Sequence, residues 1–397
     1  MDSAAVPSPQ TLVVAGRSAR LMAEAAANDG YRVVALDTYG DVDTRRVAAR
    51  WLPIGTPGRP IDPQRTLDAL SSLRDEPGLV GWVAGSDFEC EPELLAEAAG
   101  RLPLIGTDPA AVARLRDPQH FFDSLDALGL PHPPVQCDVP PHPQGWLRKL
   151  ARGSGGWHIR RAEQRPVADP ARGAYFQREV PGRPMSALFV GNGRQARRVG
   201  INEQIVRPLG PLPYVYRGAI GPVALPAERL AALDDALEQL TARFALRGLA
   251  SLDFLLTDDG WSLLEINPRP SGSLALYSSL WPLMRAHVRA CLHDQLPPLA
   301  DHAPGAVRGT EILFARSALE LGAAQAAELA ARGDCHDLPA AGSRFAPGDA
   351  VCTLSASGHS ADAVRERLAA ARRALRAQFT DPSLASPGTL PPSESSR

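Results

Sequence analysis

The stretch LASLDFLLTDDGWSLLEINPRPSGS, residues 249 to 273, reads as two apolar strands joined by a tight turn, with polar side chains set at fixed intervals inside them. Asp258-Asp259-Gly260 makes a three-residue loop with glycine at the left-handed position. Such a loop pairs Thr257 with Trp261 and, counting back, Asp253 with Glu265. The two carboxylates then stand opposite on one face, with Cβ atoms roughly 5 Å apart. Asn267 and Arg269 follow at intervals of two and point to the same side, while Leu252, Phe254, Leu256, Leu264 and Ile266 point to the other and supply a core. Opposed like charges destabilise a hairpin unless something lies between them. A divalent cation with hard oxygen ligands fills that role; a solvated polar face on an edge hairpin is the bland alternative.

A second stretch, GWLRKLARGSGGWHIR, residues 145 to 160, contains Lys149, the one lysine among 42 basic side chains. The run Gly153, Ser154, Gly155, Gly156 begins four residues later. Glycines there free the backbone to bring successive N–H groups close to an anion. The lysine precedes the glycines, so this is not the Gly-rich-loop-then-lysine order of P-loop proteins. A compact ammonium suits a site that follows a moving phosphate, whereas a guanidinium imposes a planar fork. A glycine hairpin beside a solvated lysine is the structural alternative.

Around these stretches the 397 residues exceed one simple core, and the length suggests two or three domains. Residues 11 to 107 alternate short apolar strands (TLVVAG, YRVVALD, GLVGWVAG, LPLIG) with helices, the pattern of a parallel sheet. Short antiparallel strands (WLRKL, WHIRR, AYFQREV, SALFVG) are expected over 145 to 190 and a helix near 226 to 245. After about 305 come a strand (TEILFA), a helical stretch, the pair SRFAPGDAVCTLSA and a closing Arg/Ala helix. The expected fold class is α/β (α+β). A formal charge of −2 gives no general attraction to nucleic acid or anionic lipid, and no apolar run approaches the roughly 20 residues that span a bilayer. Five scattered cysteines without a CxxC pair, and an N-terminus without a signal-peptide pattern, lead us to expect reduced thiols and a cytoplasmic location. Cys335-His336 lacks a second pair at ligand spacing. Gly16 with Asp37 invites a dinucleotide reading, but GRSAR lacks the later glycines of that fingerprint.

The lysine-then-glycine loop and the Asp253, Glu265, Asn267, Arg269 set together resemble the ATP-grasp superfamily, over about residues 11 to 300. The resemblance implies a Rossmann-like front domain (1–107), a two-lobed ATP-grasp domain (108–300, with a flap at 145–182), a small C-terminal domain (301–380) and a disordered tail (381–397). It implies ATP and Mg²⁺ as cofactors, with Mn²⁺ as the alternate ion. Asp253, Glu265 and Asn267 would hold the metal, while Lys149 and Arg269 would offset charge on the transferred phosphate. Gly153, Ser154, Gly155 and Gly156 would cover the phosphates, and Gln177, Glu179 and Val180 would flank the base and ribose. Arg17, Ser18, Arg20, Ser86, Asp87, Glu89 and Ser271 would be substrate contacts. One departure stands out: the family's earlier Asp-Lys pair is here Asp117-Pro118, leaving Arg114 or Arg116 to supply that charge.

The implied activity is ATP-dependent ligation of a small-molecule carboxylate to an amine through an acyl phosphate. Its partners are those substrates, with no nucleic acid or membrane and a homodimer as the assembly to test. A more specific resemblance is to ATP-grasp proteins associated with tetrahydromethanopterin- and methanofuran-type one-carbon coenzymes. A bicarbonate-activating carboxylase and a non-catalytic nucleotide-binding regulator are the alternatives. No residue stands out as the base that deprotonates the amine.

Overall fold

The computed structural model describes residues 9–164, 173–298 and 305–380. Repeated strand–helix units open the chain as expected: β1 (Thr11–Ala15), α1 (Arg20–Asn28), β2 (Arg32–Asp37), α2 (Val42–Val47), β3 (Arg50–Pro53), α3 (Pro63–Ser71), β4 (Leu79–Ala84) and α4 (Pro92–Arg101). Their sheet is parallel, in the order β3-β2-β1-β4. TLVVA shows no alternation because helices cover both of its faces, α1 on the Leu12 and Val14 side and α3 and α4 on the Val13 and Ala15 side. LPLIG, expected as a further strand, contributes only a bridge between Leu104 and Trp82 before the chain turns away. Asp37 is fully buried and accepts hydrogen bonds from the N–H groups of Ala19 (3.1 Å) and Gly40 (2.8 Å) and from the Trp51 indole (2.7 Å). It is committed to holding the turns around it, so no carboxylate is left for a ribose there and the dinucleotide reading fails.

α5 (Pro109–Arg116) and α6 (Pro118–Leu128) lead into the second half. Asp117 caps α6 by accepting from the His120 N–H at 2.8 Å, and Pro118 takes the first helical position, where no N–H is required. β5 (Val135–Gln136), β6 (Trp146–Leu150), β7 (Arg160–Arg161) and β8 (Ala174–Arg178) form a small sheet in the order β5-β8-β6-β7. Only the last two residues of WHIRR enter it; Trp157 and His158 lie in the preceding turn.

Most of the remaining strands build one large antiparallel sheet. β9 (Arg183–Asn192), β10 (Ala196–Leu209), β11 (Leu212–Gly221), α7 (Ala227–Phe244), β12 (Arg247–Leu256), β13 (Trp261–Asn267), α8 (Leu283–His293), β14 (Val307–Phe314), β15 (Leu319–Glu320), α9 (Ala323–Ala331), β16 (Cys335–His336), β17 (Arg344–Phe345), β18 (Ala350–Gly358) and α10 (Ala361–Thr380) follow in order. The sheet runs β13-β12-β9-β10-β11-β14-β18-β16, so β14, β16 and β18, after residue 305, extend it, while β15 and β17 pair separately. The long β10–β11 hairpin was not anticipated from the sequence. SRFAPGDAVCTLSA does not pair with itself: β17 joins β15, whereas β18 joins β14 and β16. The reason is burial, since Val351, Cys352 and Leu354 are buried on the sheet and Arg344 is exposed. The expected tail at 381–397 lies outside the described residues.

On one face of the large sheet Phe189, Phe254 and Leu252 pack against Leu237, Leu240 and Phe244 of α7. On the other, Leu188, Leu249 and Ala219 share a core with α8, α1 and β1. His287 on α8 pins this junction. Its Nδ1 accepts from the Leu249 N–H (2.8 Å) and its Nε2 lies 2.9 Å from the Ile105 carbonyl, so the ring must be the neutral tautomer with hydrogen on Nε2. Burial lowers its pKa from 6.5 to about 4.

A pH prediction follows from that shift. The unfolded histidine binds its proton first as pH falls, so stability present above pH 6.5 drains away toward pH 4, by up to about 3 kcal/mol from this ring alone. His287→Gln should therefore be less stable than the parent at pH 8 but lose less between pH 6.5 and 4 in urea titrations. Equal pH slopes for the two proteins would show that His287 carries no such load.

Candidate active site

β12 and β13 place the carboxylates as the sequence suggested, by a different route. The turn spans Thr257 to Gly260, closed by Thr257 N–H to Gly260 O at 3.0 Å, and Leu256 rather than Thr257 pairs with Trp261. That one-residue slip is cancelled by a bulge at Leu264, which restores Asp253 opposite Glu265. The bulge also swaps the core residue: Leu263 is fully buried and Leu264 only half-buried, correcting the expected alternation. Asn267 Nδ2 donates to Asp253 at 3.3 Å and lies on the same face.

The two acids are electrostatically unequal. Burial, and then the neighbouring Glu265 carboxylate, push Asp253 up to about 7, against a hydrogen bond from Gln204 and the charge of Arg269. Burial also disfavours a charged Glu265, but Arg116, Lys149, His158 and Arg269 around it outweigh that and hold it below the usual range. His158 is driven the other way, to about 4, by burial and by the Lys149 and Arg116 cations despite Glu265. Its Nδ1 is buried without a hydrogen-bond partner among the described residues.

Lys149 lies on β6, opposite Tyr175 of β8, and is almost wholly buried. Burial lowers its pKa while Glu265 and Asp253, which it faces, resist the change. The following loop is docked on β11: the Gly155 carbonyl accepts from the Tyr216 N–H at 3.0 Å. Gly156 has φ +79°, and a Cβ there would fall 1.6 Å from the Tyr214 carbonyl oxygen, so only glycine permits this approach. Arg152 ties the loop's other side to Glu91 (3.9 Å) and Glu93 near the start of α4. The loop, the lysine and the opposed acids thus converge on one site.

A family model for the ATP-grasp domain matches residues 116–273, the span that runs from Arg116 through both constellations. These residues form an ATP-grasp domain. The fold of the whole chain is similar to solved structures of low identity. The biotin carboxylase domain of a 2-oxoglutarate carboxylase from Hydrogenobacter thermophilus has TM-score 0.70 and 13% identity, covering 91% of this chain and 89% of that one. L-amino acid ligase from Bacillus licheniformis has TM-score 0.66 and 16% identity, covering 93% and 97%. N5-carboxyaminoimidazole ribonucleotide synthetase from Thermotoga maritima has TM-score 0.64 and 14% identity, covering 92% and 98%. No protein of curated function matches the chain in sequence.

In the ATP-grasp domain Arg116 ends α5, two residues before Pro118. Its guanidinium is 3.4 Å from Glu89 and 3.9 Å from Glu265, whereas Arg114 is exposed. Arg116 Nε and Nη2 and Glu89 Oε2 are buried without hydrogen-bond partners among the described residues, an unfinished polar set of the kind a ligand completes. With an all-oxygen acid pair beside it, this set fits a hard divalent ion carrying phosphate oxygens. Arg269 donates to Glu89 at 2.9 Å and lies 3.5 Å from the Asn267 side-chain oxygen. Gln177 is buried with its Nε2 unpartnered among the described residues, Glu179 accepts from Tyr214 and Arg161 (2.7 Å), and Val180 lies half-buried after β8.

The front unit divides its expected contacts. Glu89 belongs to the acid–arginine cluster. Arg17 faces Asp87 at 3.6 Å, Ser86 is half-buried beside them, and Ser271 bonds Ser273 at 2.8 Å. Ser18 (3.3 Å) and Arg20 (3.0 Å) are instead committed to Asp337. Nearby Glu24, Asp43 and His336 come within metal-binding distance of one another, but Asp43 already accepts the Asp337 and Leu338 N–H groups and His336 bonds Ser355. The sequence reading missed His158, Gln204 and Tyr216. His158 sat two residues past Gly156 in a stretch already singled out, but Gln204 and Tyr216 come from the unanticipated hairpin and carry no local signal.

Asp253→Asn should stabilise the metal-free protein. Asp253 is raised from 3.8 to about 7, so its unfavourable charge in the folded state develops as pH rises through that window. The variant should gain on the order of 1 kcal/mol at pH 8 and nothing at pH 3.8. Chemical denaturation in chelator at both pH values measures this, and a loss at pH 8 would contradict the opposed-charge reading.

Proposed function

We propose that the protein is an ATP-dependent carboxylate–amine ligase. The observation that carries this is the pairing of Asp253 with Glu265 beneath a glycine loop, with Lys149 and Arg116 both facing Glu265. Asp253, Glu265 and Asn267 hold Mg²⁺, or Mn²⁺ in its place. Bound there, the ion would neutralise charge on the phosphate oxygens. Gly153 to Gly156 lie over the phosphates and exclude water. Lys149, Arg116 and Arg269 offset charge on the transferred group, which is most of what phosphoryl transfer asks of a protein. Gln177, Glu179 and Val180 flank the base and ribose. Arg17, Ser86, Asp87 and Ser271 remain available toward the substrate.

A substrate carboxylate oxygen attacks the γ-phosphorus and ADP leaves. The amine nitrogen then attacks the acyl carbon, inorganic phosphate leaves, and the amine's proton is lost. The fold likeness to an L-amino acid ligase supports the ligase reading. The finer reading, a ligation in the making of tetrahydromethanopterin- or methanofuran-type coenzymes, rests on sequence resemblance. Activation of bicarbonate is the second reading, favoured by the carboxylase likeness, whose structure holds MgADP and bicarbonate.

The test is ADP release in a matrix of carboxylates and amines with Mg²⁺. Release that needs an added amine supports ligation, and release that needs only bicarbonate supports carboxylation. Nucleotide binding without turnover in any combination would overturn both. Lys149→Met and Glu265→Gln should each lower kcat by about 100-fold or more. Lys149→Arg should also fail, because the fork does not fit a point-charge position; full activity in that variant would remove the lysine from the mechanism.

A further inference from the structure

A second cleft, of about 920 Å³, opens on the α10 side of the large sheet, lined by β10, β11, β14, α10 and the tip of the glycine loop. Its polar wall consists of five guanidinium groups, on Arg207, Arg217, Arg316, Arg372 and Arg376. Among the described residues one carboxylate, Glu311, stands within the cluster, and it already accepts from Arg372. Burial, and crowding by Arg207, Arg372 and Arg316, push the Arg217 pKa down although Glu311 opposes this. Arg217 is held in place by donation to the Pro208 carbonyl (2.9 Å) and by the Phe314 ring 5.3 Å away, yet its Nε is buried with no hydrogen-bond partner among the described residues.

Such crowding of cations costs stability unless an anion divides it. The size is that of a small-molecule site, and forked guanidinium groups match phosphate and carboxylate oxygens. Phe314 and Leu212 supply an apolar floor. The cleft also reaches the glycine loop: Trp157 lines it and meets Phe314 edge-on at 5.8 Å. Arg217 sits at a bulge of β11, while its neighbour Tyr216 turns toward Gly272 and Asp253.

We propose that this cleft is a second binding site, for a small anion carrying at least two phosphate or carboxylate groups on a compact body, and that its occupant holds Trp157 and the glycine loop in the docked position. The site is independent of what the acid pair does.

Calorimetric titration of the full chain in chelator, with inorganic pyrophosphate in one arm and citrate in the other, tests it. One anion should bind per chain, and the arm that binds more tightly assigns phosphate or carboxylate groups. The double variant Arg316→Ser/Arg376→Ser should weaken binding by about tenfold or more, through loss of charge-assisted hydrogen bonds. Arg207→Ser, at an exposed position, gives a milder second test if the double variant melts early. Lys149→Met should bind as the parent does. Tryptophan emission should change on binding, and that change should vanish in Trp157→Phe. Absence of binding in both arms, parent-like affinity in the arginine variants, or a loss in Lys149→Met would overturn the site. An emission change that persists in Trp157→Phe would overturn the coupling to the loop.

Discussion

Two carboxylates forced face to face in a β-ladder set the terms for everything around them. Their separation is fixed by strand pairing, so relief must come from cations brought in by other elements. Lys149 arrives from the small sheet, Arg116 from the end of α5 and Arg269 from the chain after β13. The relief is lopsided: nearly all of it reaches Glu265, which is held ionised, while Asp253 is left near neutrality at about 7. In such a pair a bound cation would favour the charged form of both acids, the one already ionised and the one still holding its proton.

The same demand binds the front unit to the sheet. Glu89 is buried and stands between Arg116 and Arg269, so the two guanidinium groups nearest the acids are positioned from outside residues 116–273. Arg152 repeats the arrangement for the glycine loop through Glu91 and Glu93. His287 closes the junction from below with two hydrogen bonds, to Leu249 and toward Ile105. Front unit, small sheet and large sheet are three supports of a single charge cluster, and movement of one alters the electrostatics seen by the acids.

How much of this was legible in the sequence depended on how local the cause was. The parallel sheet was readable because uninterrupted apolar runs between helices have few other uses. The Asp253–Glu265 pairing was readable only because two departures cancelled: the turn took one more residue than expected and the Leu264 bulge restored the register. Lys149 stood out because arginine is used everywhere else. The cluster of five arginines could not be read, since its members lie between residues 207 and 376 and meet only after β10, β11, β14 and α10 have packed. Nor could the fates of Ser18 and Arg20 be separated from that of Glu89, because all three occupy polar turns after strands, and only packing decides which turn faces Asp337 and which faces Arg269.

The division of labour between Lys149 and Arg116 follows from burial. An ammonium withdrawn from water can shed its proton, and Lys149 is already lowered, so a second lysine beside it would weaken both charges. A guanidinium keeps its charge under the same conditions, and Arg116 stays protonated although it is largely withdrawn from water, with Glu89 and Glu265 flanking it. Placing that charge at residue 116 frees position 118 for proline, which starts α6 without an unsatisfied N–H. One mobile point charge on the strand and one permanent fork at a helix end is therefore a stable solution for a buried anionic site, and it needs no second lysine.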